Sequence, residues 1–274
     1  MQHTELTLTM EDGFQLYGQE WRGDGALKGL IILVHGIGEH SGRYPHVGAA
    51  FAEAGYAMLG FDLRGHGKSG GKRGAGAFDV YMRDIDCVRR YAQEHDGNLP
   101  TFLYGHSLGG ALVIDYLLHY RPRLTGAITS APGLAPGFPV PAWKSFVGRL
   151  MYRIAPEITL NTGLPQSGLS HDERVLPAYV HDPLVHDRVS ARLGVDVMDN
   201  WAWSIAHAHE LEVPLLVVRG SEDYLVSKEK IADFVAHAGK LCTYKEYAGL
   251  FHEVHNEIGK EQVLADLIGW CDQQ

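Results

Sequence analysis

Thr101-Phe102-Leu103-Tyr104-Gly105-His106-Ser107-Leu108-Gly109-Gly110 decides the fold. It reads as a short buried strand, Thr101 to Tyr104, an abrupt turn, and a helix that opens at Leu108 and runs to His119. A glycine stands two residues to either side of Ser107, where a tight strand-to-helix turn leaves no space for a Cβ. Such a turn points the serine hydroxyl outward. The helix behind it aims unpaired N–H groups and a partial positive charge at the same place, which suits a developing oxyanion. A glycine-rich turn with an idle serine is the plain alternative, and only the rest of the chain can weigh against it.

Outward from this turn the same alternation recurs. Gly29 to Val34 is a continuous apolar run, expected of a strand buried on both faces, and it precedes a glycine-rich loop and a helical stretch around Val47 to Ala54. Tyr56 to Phe61, Gly126 to Thr129, Leu215 to Val218 and Thr243 to Tyr247 read as further strands; Val80 to Glu94, Lys228 to His237 and Glu257 to Trp270 read as helices. Thr4 to Met10, a Glu11-Asp12-Gly13 turn and Phe14 to Trp21 read as an antiparallel hairpin. Regular alternation of strand and helix predicts an α/β fold with a mostly parallel sheet, eight strands in all, flanked by helices. The pattern breaks between Gly133 and Ser204, where prolines punctuate helical pieces and no strand stands out. That division predicts a core of residues 1–132 and 205–274 and an inserted helical cap of residues 133–204.

Composition narrows the function classes. A formal charge of −9 argues against nucleic acid as a partner, since phosphate binding needs clustered Lys and Arg. Three cysteines, Cys87, Cys242 and Cys271, are odd in number and widely separated, so neither a disulfide framework nor a zinc site is expected. No basic region followed by an apolar core opens the chain, and no apolar run reaches the roughly 18 residues of a membrane span. A cytoplasmic protein, peripheral at membranes at most, is the expectation.

A serine hydroxyl is a poor nucleophile at neutral pH and needs a histidine to take its proton and a carboxylate to fix the histidine tautomer. Ligands in open α/β sheets bind at the carboxyl ends of the strands, so the partners are sought in strand-terminal loops. His252 follows the last strand, with His255 its nearest rival; Asp223 follows Leu215 to Val218, with Glu222 adjacent. The order Ser107, Asp223, His252 is the one that a Gly-x-Ser-x-Gly turn on such a sheet imposes. An oxyanion hole then requires two backbone donors: Leu108 N–H after the nucleophile, and Ile37 N–H in His35-Gly36-Ile37-Gly38 after an early strand. That loop lacks the Gly-Lys-Ser/Thr ending of a phosphate cradle, and His35 is expected to brace it. His106, His119 and His237 are expected on the surface or in the core.

The chain resembles the monoacylglycerol lipases and their lysophospholipase-like relatives, serine hydrolases of the α/β-hydrolase superfamily. The resemblance rests on His35-Gly-Ile-Gly-Glu-His-Ser-Gly-Arg-Tyr44, Phe61-Asp-Leu-Arg-Gly-His-Gly-Lys-Ser69, Gly105-His-Ser-Leu-Gly-Gly110, His181-Asp-Pro-Leu184, Gly220-Ser-Glu-Asp223 and Phe251-His-Glu-Val-His255. It implies the α/β-hydrolase fold and hydrolysis of a fatty acyl monoester of glycerol through an acyl-enzyme. Ser107, Asp223 and His252 form the implied triad, Glu39, Arg43 and His255 meet the glycerol, and no cofactor or metal takes part. A lysophospholipase or general carboxylesterase has the same triad, and a ligand receptor with a vestigial triad has the same fold. Aspartate in place of Ser107, as in dehalogenases and epoxide hydrolases, is absent.

In the cap, Trp143, Phe146, Val147, Leu150, Met151 and Ile154 fall on one helical face, interleaved with Lys144, Arg149 and Arg153. This helix is expected to pack over an acyl pocket for the lipid ester substrate. Transient docking on a membrane surface is the second reading.

Overall fold

The computed structural model describes residues 1–274. β1 (Gln2–Thr9) and β2 (Gln15–Arg22) form the expected antiparallel hairpin, with Gly13 at φ 82° in the turn. The chain then alternates through β3 (Gly29–Val34), α1 (Pro45–Glu53), β4 (Tyr56–Phe61), α2 (Phe78–Asp96), β5 (Thr101–His106), α3 (Leu108–Tyr120) and β6 (Gly126–Ser130). Next come α4 (Ala142–Ile154), β7 (Thr159–Asn161), α5 (Val175–His181), β8 (Arg188–Ser190) and α6 (Ala191–His207). The chain closes with β9 (Leu215–Gly220), α7 (Lys228–Ala238), β10 (Cys242–Tyr247) and α8 (Lys260–Cys271).

Eight strands join in one sheet in the order β1-β2-β4-β3-β5-β6-β9-β10. β2 meets β4 antiparallel and every pairing from β4 to β10 is parallel, which is the predicted mostly parallel sheet of an α/β-hydrolase. Every residue of β3, β4, β5, β6 and β9 is buried, because helices cover both faces. Ile31 and Leu33 turn to the face covered by Val47 and Phe51 of α1 and Leu264 and Leu267 of α8. Leu30 and Ile32 turn to the face covered by Ile85 of α2, Leu112 of α3 and Phe234 of α7. Full burial of each such side chain is worth about 1.5–3 kcal/mol.

Residues between β6 and β9 lie outside this sheet, and two features there differ from the sequence reading. β7 and β8 pair antiparallel, Thr159 with Ser190 through Asn161 with Arg188. Strands of three residues are too short to show a period of two, which is why no strand stands out in the sequence. The boundary at 204 also falls inside α6, which continues to His207. Ser204 Oγ donates to Asp115 Oδ1 in the middle of α3, so the C-terminal part of α6 is tied to the helix that follows β5. No helix is long and apolar enough to cross a membrane.

Candidate active site

β5 delivers the chain to Ser107 and α3 takes it away. Ser107 sits at φ 52°, ψ −115°, one of only three non-glycine residues with positive φ, and the strain is held by its surroundings. Its N–H donates to Ser130 O at 2.9 Å, and its carbonyl accepts from Gly133 N–H at 2.9 Å. The flanking glycines are forced: a Cβ on Gly105 would lie 2.4 Å from Gly109 O, and one on Gly109 would lie 2.0 Å from Val34 O. Ser107 holds the N-cap position of α3, yet its hydroxyl caps nothing there and stays free for other chemistry.

Loops after β9 and β10 bring the second and third residues together. His252 Nδ1 lies 2.9 Å from Asp223 Oδ2, and both side chains are buried. Burial opposes both charges. The attraction and the hydrogen bond of the pair outweigh it, so the His252 pKa is raised and that of Asp223 lowered. Asp223 is further fixed by Leu225 N–H donating to Oδ1 at 2.8 Å, and by buried Arg219, whose Nη2 donates to the Asp223 carbonyl at 2.7 Å. The adjacent Glu222 points outward, its side chain 58% exposed. With Nδ1 engaged by the carboxylate, Nε2 is the nitrogen left to accept a proton, and His252 and Ser107 line the same small cavity.

Ile37 and Leu108 both border Ser107. Neither backbone N–H donates to any protein acceptor, as befits a loop amide and the first residue of a helix. Their loop is braced from behind. His35 Nε2 accepts from Leu63 N–H at 2.9 Å and its Nδ1 donates to Gly36 O at 2.8 Å. Asp62 accepts from Ser41 N–H at 2.8 Å and Lys68 N–H at 2.8 Å, tying the β4 loop to the same region.

Two spaces of different size meet at Ser107, and polar side chains edge the smaller. One of about 590 Å³ lies beneath the insertion and is mainly apolar; Phe138, Trp143 and Val147 line it with Val195, Met198 and Trp201 of α6. Its size falls within the roughly 300–1,000 Å³ of small-molecule sites. The other, about 60 Å³, is edged by Glu39, His106, Gln166, Tyr179, His252 and Glu253. At the roughly 10–15 Å³ that one water needs, it has room for about four to six water-sized groups. Ile37, Ser107, Leu164, Leu225 and Val226 border both.

The three residues expected at a polar head group are placed unequally. Glu39 edges the small cavity, but its oxygens already accept from Gly36 N–H, Tyr44 OH and Arg43 Nη1, each at 2.7 Å. Burial would raise its carboxyl, yet Arg43 holds it at about 2. Arg43 sits behind Glu39. His255 reaches neither cavity: it is fully buried, stacked on Tyr44 with ring centroids 4.8 Å apart. The 3-10 turn Val254–Asn256 holds it in the core. His106 is in the core as expected, with Nδ1 3.2 Å from Ser130 O. It edges the small cavity, 4.8 Å from the His252 ring, and burial and the His252 charge push it down to about 4, so it stays neutral. Gln166 and Tyr179 are not singled out by the sequence, and nothing in their local pattern marks them. Of the six apolar residues on α4, Trp143 and Val147 line the large cavity, and Trp143, Phe146, Leu150 and Ile154 are exposed.

A strained serine on a strand-to-helix turn, a buried His–Asp pair and two free amides are thus brought together, an arrangement that can carry out nucleophilic hydrolysis. The family described as "Serine aminopeptidase, S33" matches residues 12–259. The chain belongs to this family. It is 32% identical over 94% of its length to a monoacylglycerol lipase of Mycolicibacterium smegmatis, covering 93% of that protein. It is 31% identical over 92% of its length to the phospholipase YtpA of Bacillus subtilis, covering 98% of it. Against an uncharacterized abhydrolase domain-containing protein of Dictyostelium discoideum the identity is 31%, but the chain spans only 26% of that longer protein. Among solved structures, the monoacylglycerol lipase of Paleococcus ferrophilus superposes with a TM-score of 0.87 at 32% identity, covering 93% of this chain and 98% of that one.

Proposed function

We propose that this protein is a serine esterase that hydrolyses monoacylglycerols to a fatty acid and glycerol. The observation that carries the proposal is the junction at Ser107 of a large apolar space with a small one edged by Glu39, His106, Gln166 and Tyr179, which matches an ester of one acyl chain and a compact polyol. His252 Nε2 takes the Ser107 proton as Oγ attacks the ester carbonyl. The oxyanion accepts hydrogen bonds from Ile37 and Leu108 N–H, and Asp223 stabilises the imidazolium. The same proton passes to the departing glycerol oxygen. Water, deprotonated by His252, then cleaves the acyl-enzyme and restores Ser107.

In this reading the acyl chain lies under the cap and glycerol occupies the small cavity, against the Glu39 carboxylate and the polar ends of Gln166 and Tyr179. Arg43 and His255 act from behind that wall. Exposed Phe146 (71%), Trp143 (64%) and Ile154 (68%) on α4 support transient contact of the cap with a lipid surface, from which such substrates are drawn.

Purified protein is assayed against monoacylglycerols of graded chain length, diacylglycerol, lysophosphatidylcholine and an N-terminal peptide amide. Preference for monoacylglycerol by kcat/KM is the expected result. Faster hydrolysis of lysophosphatidylcholine would favour the phospholipase reading, and faster peptide cleavage the aminopeptidase one; either overturns the proposal.

A further inference from the structure

Arg43 is enclosed on three sides by parts of the chain that are far apart in sequence. Its Nη1 donates to Glu39 Oε2 and Glu253 Oε1, and its Nη2 to Glu253 Oε2, each at 2.7 Å. The guanidinium carbon lies 4.7 Å from the centroid of the Tyr179 ring on α5. Glu39 passes the connection to Gly36, beside Ile37; Glu253 is the neighbour of His252 and is itself held by Asn256 Nδ2 at 2.7 Å. A forked, charge-assisted contact of this kind fixes direction as well as distance. Only 10% of the Arg43 side chain is exposed, it borders neither cavity, and the two carboxylates take three of its five N–H donors.

We propose that Arg43 is a positioning residue for ester hydrolysis, clamping the loop that bears the Ile37 amide to the loop that bears His252, with α5 of the cap laid against the clamp. It does so without touching the substrate. The clamp also sets charge: two carboxylates share one guanidinium beside the histidine. His252 faces Asp223 from the β9 loop, Glu253 from its own loop and Glu39 from the oxyanion loop, all of which favour its protonated form. The Arg43 cation, paired with Glu39 and Glu253, offsets those two carboxylates and opposes it. Loss of the Arg43 charge therefore moves His252 up, and loss of the Glu253 charge moves it down.

The inference rests on Ser107, His252 and Asp223 acting as proposed, and its test separates the two. Arg43→Lys keeps the charge and loses the fork. Its kcat is expected to fall roughly a hundredfold, the scale of a misplacement of about 1 Å, with KM changed by a few-fold at most and the acidic limb of the kcat/KM profile in place. Arg43→Met moves that limb to higher pH and Glu253→Gln to lower pH. If Arg43→Met does not fold, as judged by near-UV circular dichroism, Arg43→Lys and Glu253→Gln decide. Wild-type kcat in Arg43→Lys, or an unmoved limb in folded Glu253→Gln, overturns the inference. Full activity in Ser107→Ala would instead overturn the active-site reading beneath it.

Discussion

Replacing Asp115 by asparagine should make the protein more stable above neutral pH and leave it little changed in acid. Asp115 lies in the middle of α3, fully buried; Oδ1 accepts from Ser204 Oγ on α6 and Oδ2 has no partner. Burial pushes this carboxyl from 3.8 up to about 7, with the Ser204 hydrogen bond pulling the other way. A carboxyl with a folded-state pKa above its unfolded value costs nothing while protonated in both states. As pH rises from 3.8 to about 7, the unfolded chain sheds the proton and the folded one keeps it. Stability then falls by about 1.4 kcal/mol per pH unit and levels off above 7, a total of about 4 kcal/mol. An asparagine side chain at this position cannot ionise, so the variant's advantage over wild type should grow by about 3 kcal/mol between pH 5 and pH 8. Urea unfolding followed by circular dichroism at both pH values gives this difference directly. Parallel pH dependence in the two proteins would refute the assignment of a protonated acid between α3 and α6.

Asp223→Asn should leave the fold intact and lower kcat by about 10⁴, because the amide fixes the wrong His252 tautomer; steady-state kinetics with a soluble ester measures it. Since the His252 pKa lies above the ordinary histidine value, kcat/KM should fall with acidification through a midpoint above 6.5, and a midpoint below it would contradict the net effect of Asp223. Phe146→Ser with Ile154→Ser should leave turnover of a soluble short-chain ester unchanged and slow that of monoacylglycerol in lipid vesicles several-fold, about what the loss of two partly inserted apolar side chains implies. Equal slowing on both substrates would place these residues in the acyl pocket instead.

The core sheet was legible because its signals are local. Continuous runs such as Gly29 to Val34 and Tyr56 to Phe61 announce burial on both faces, and both were bounded to the residue. Ser107 was legible for a related reason: its two flanking glycines record a steric demand, and that demand appears as contacts of 2.0 and 2.4 Å for an added Cβ. The insertion was harder. Its paired strands have three residues each, and α4 presents two neighbouring rows, of which one lines a cavity and the other faces outward. Least legible was what surrounds the small cavity. Glu39 and Arg43, four apart, suggest a surface pair or a head-group contact; the partner that settles their environment, Glu253, is 210 residues from Arg43. His255 shows the same gap, since its place in the core goes with its stacking on Tyr44, far away in the sequence.

The central claim is that Ser107 carries the acyl group. Protein treated with a fluorophosphonate is digested and examined by mass spectrometry, beside Ser107→Ala. A single adduct on the peptide containing Ser107, abolished together with ester hydrolysis in the alanine variant, is the predicted result. An adduct on another serine, or undiminished hydrolysis in Ser107→Ala, would contradict the account.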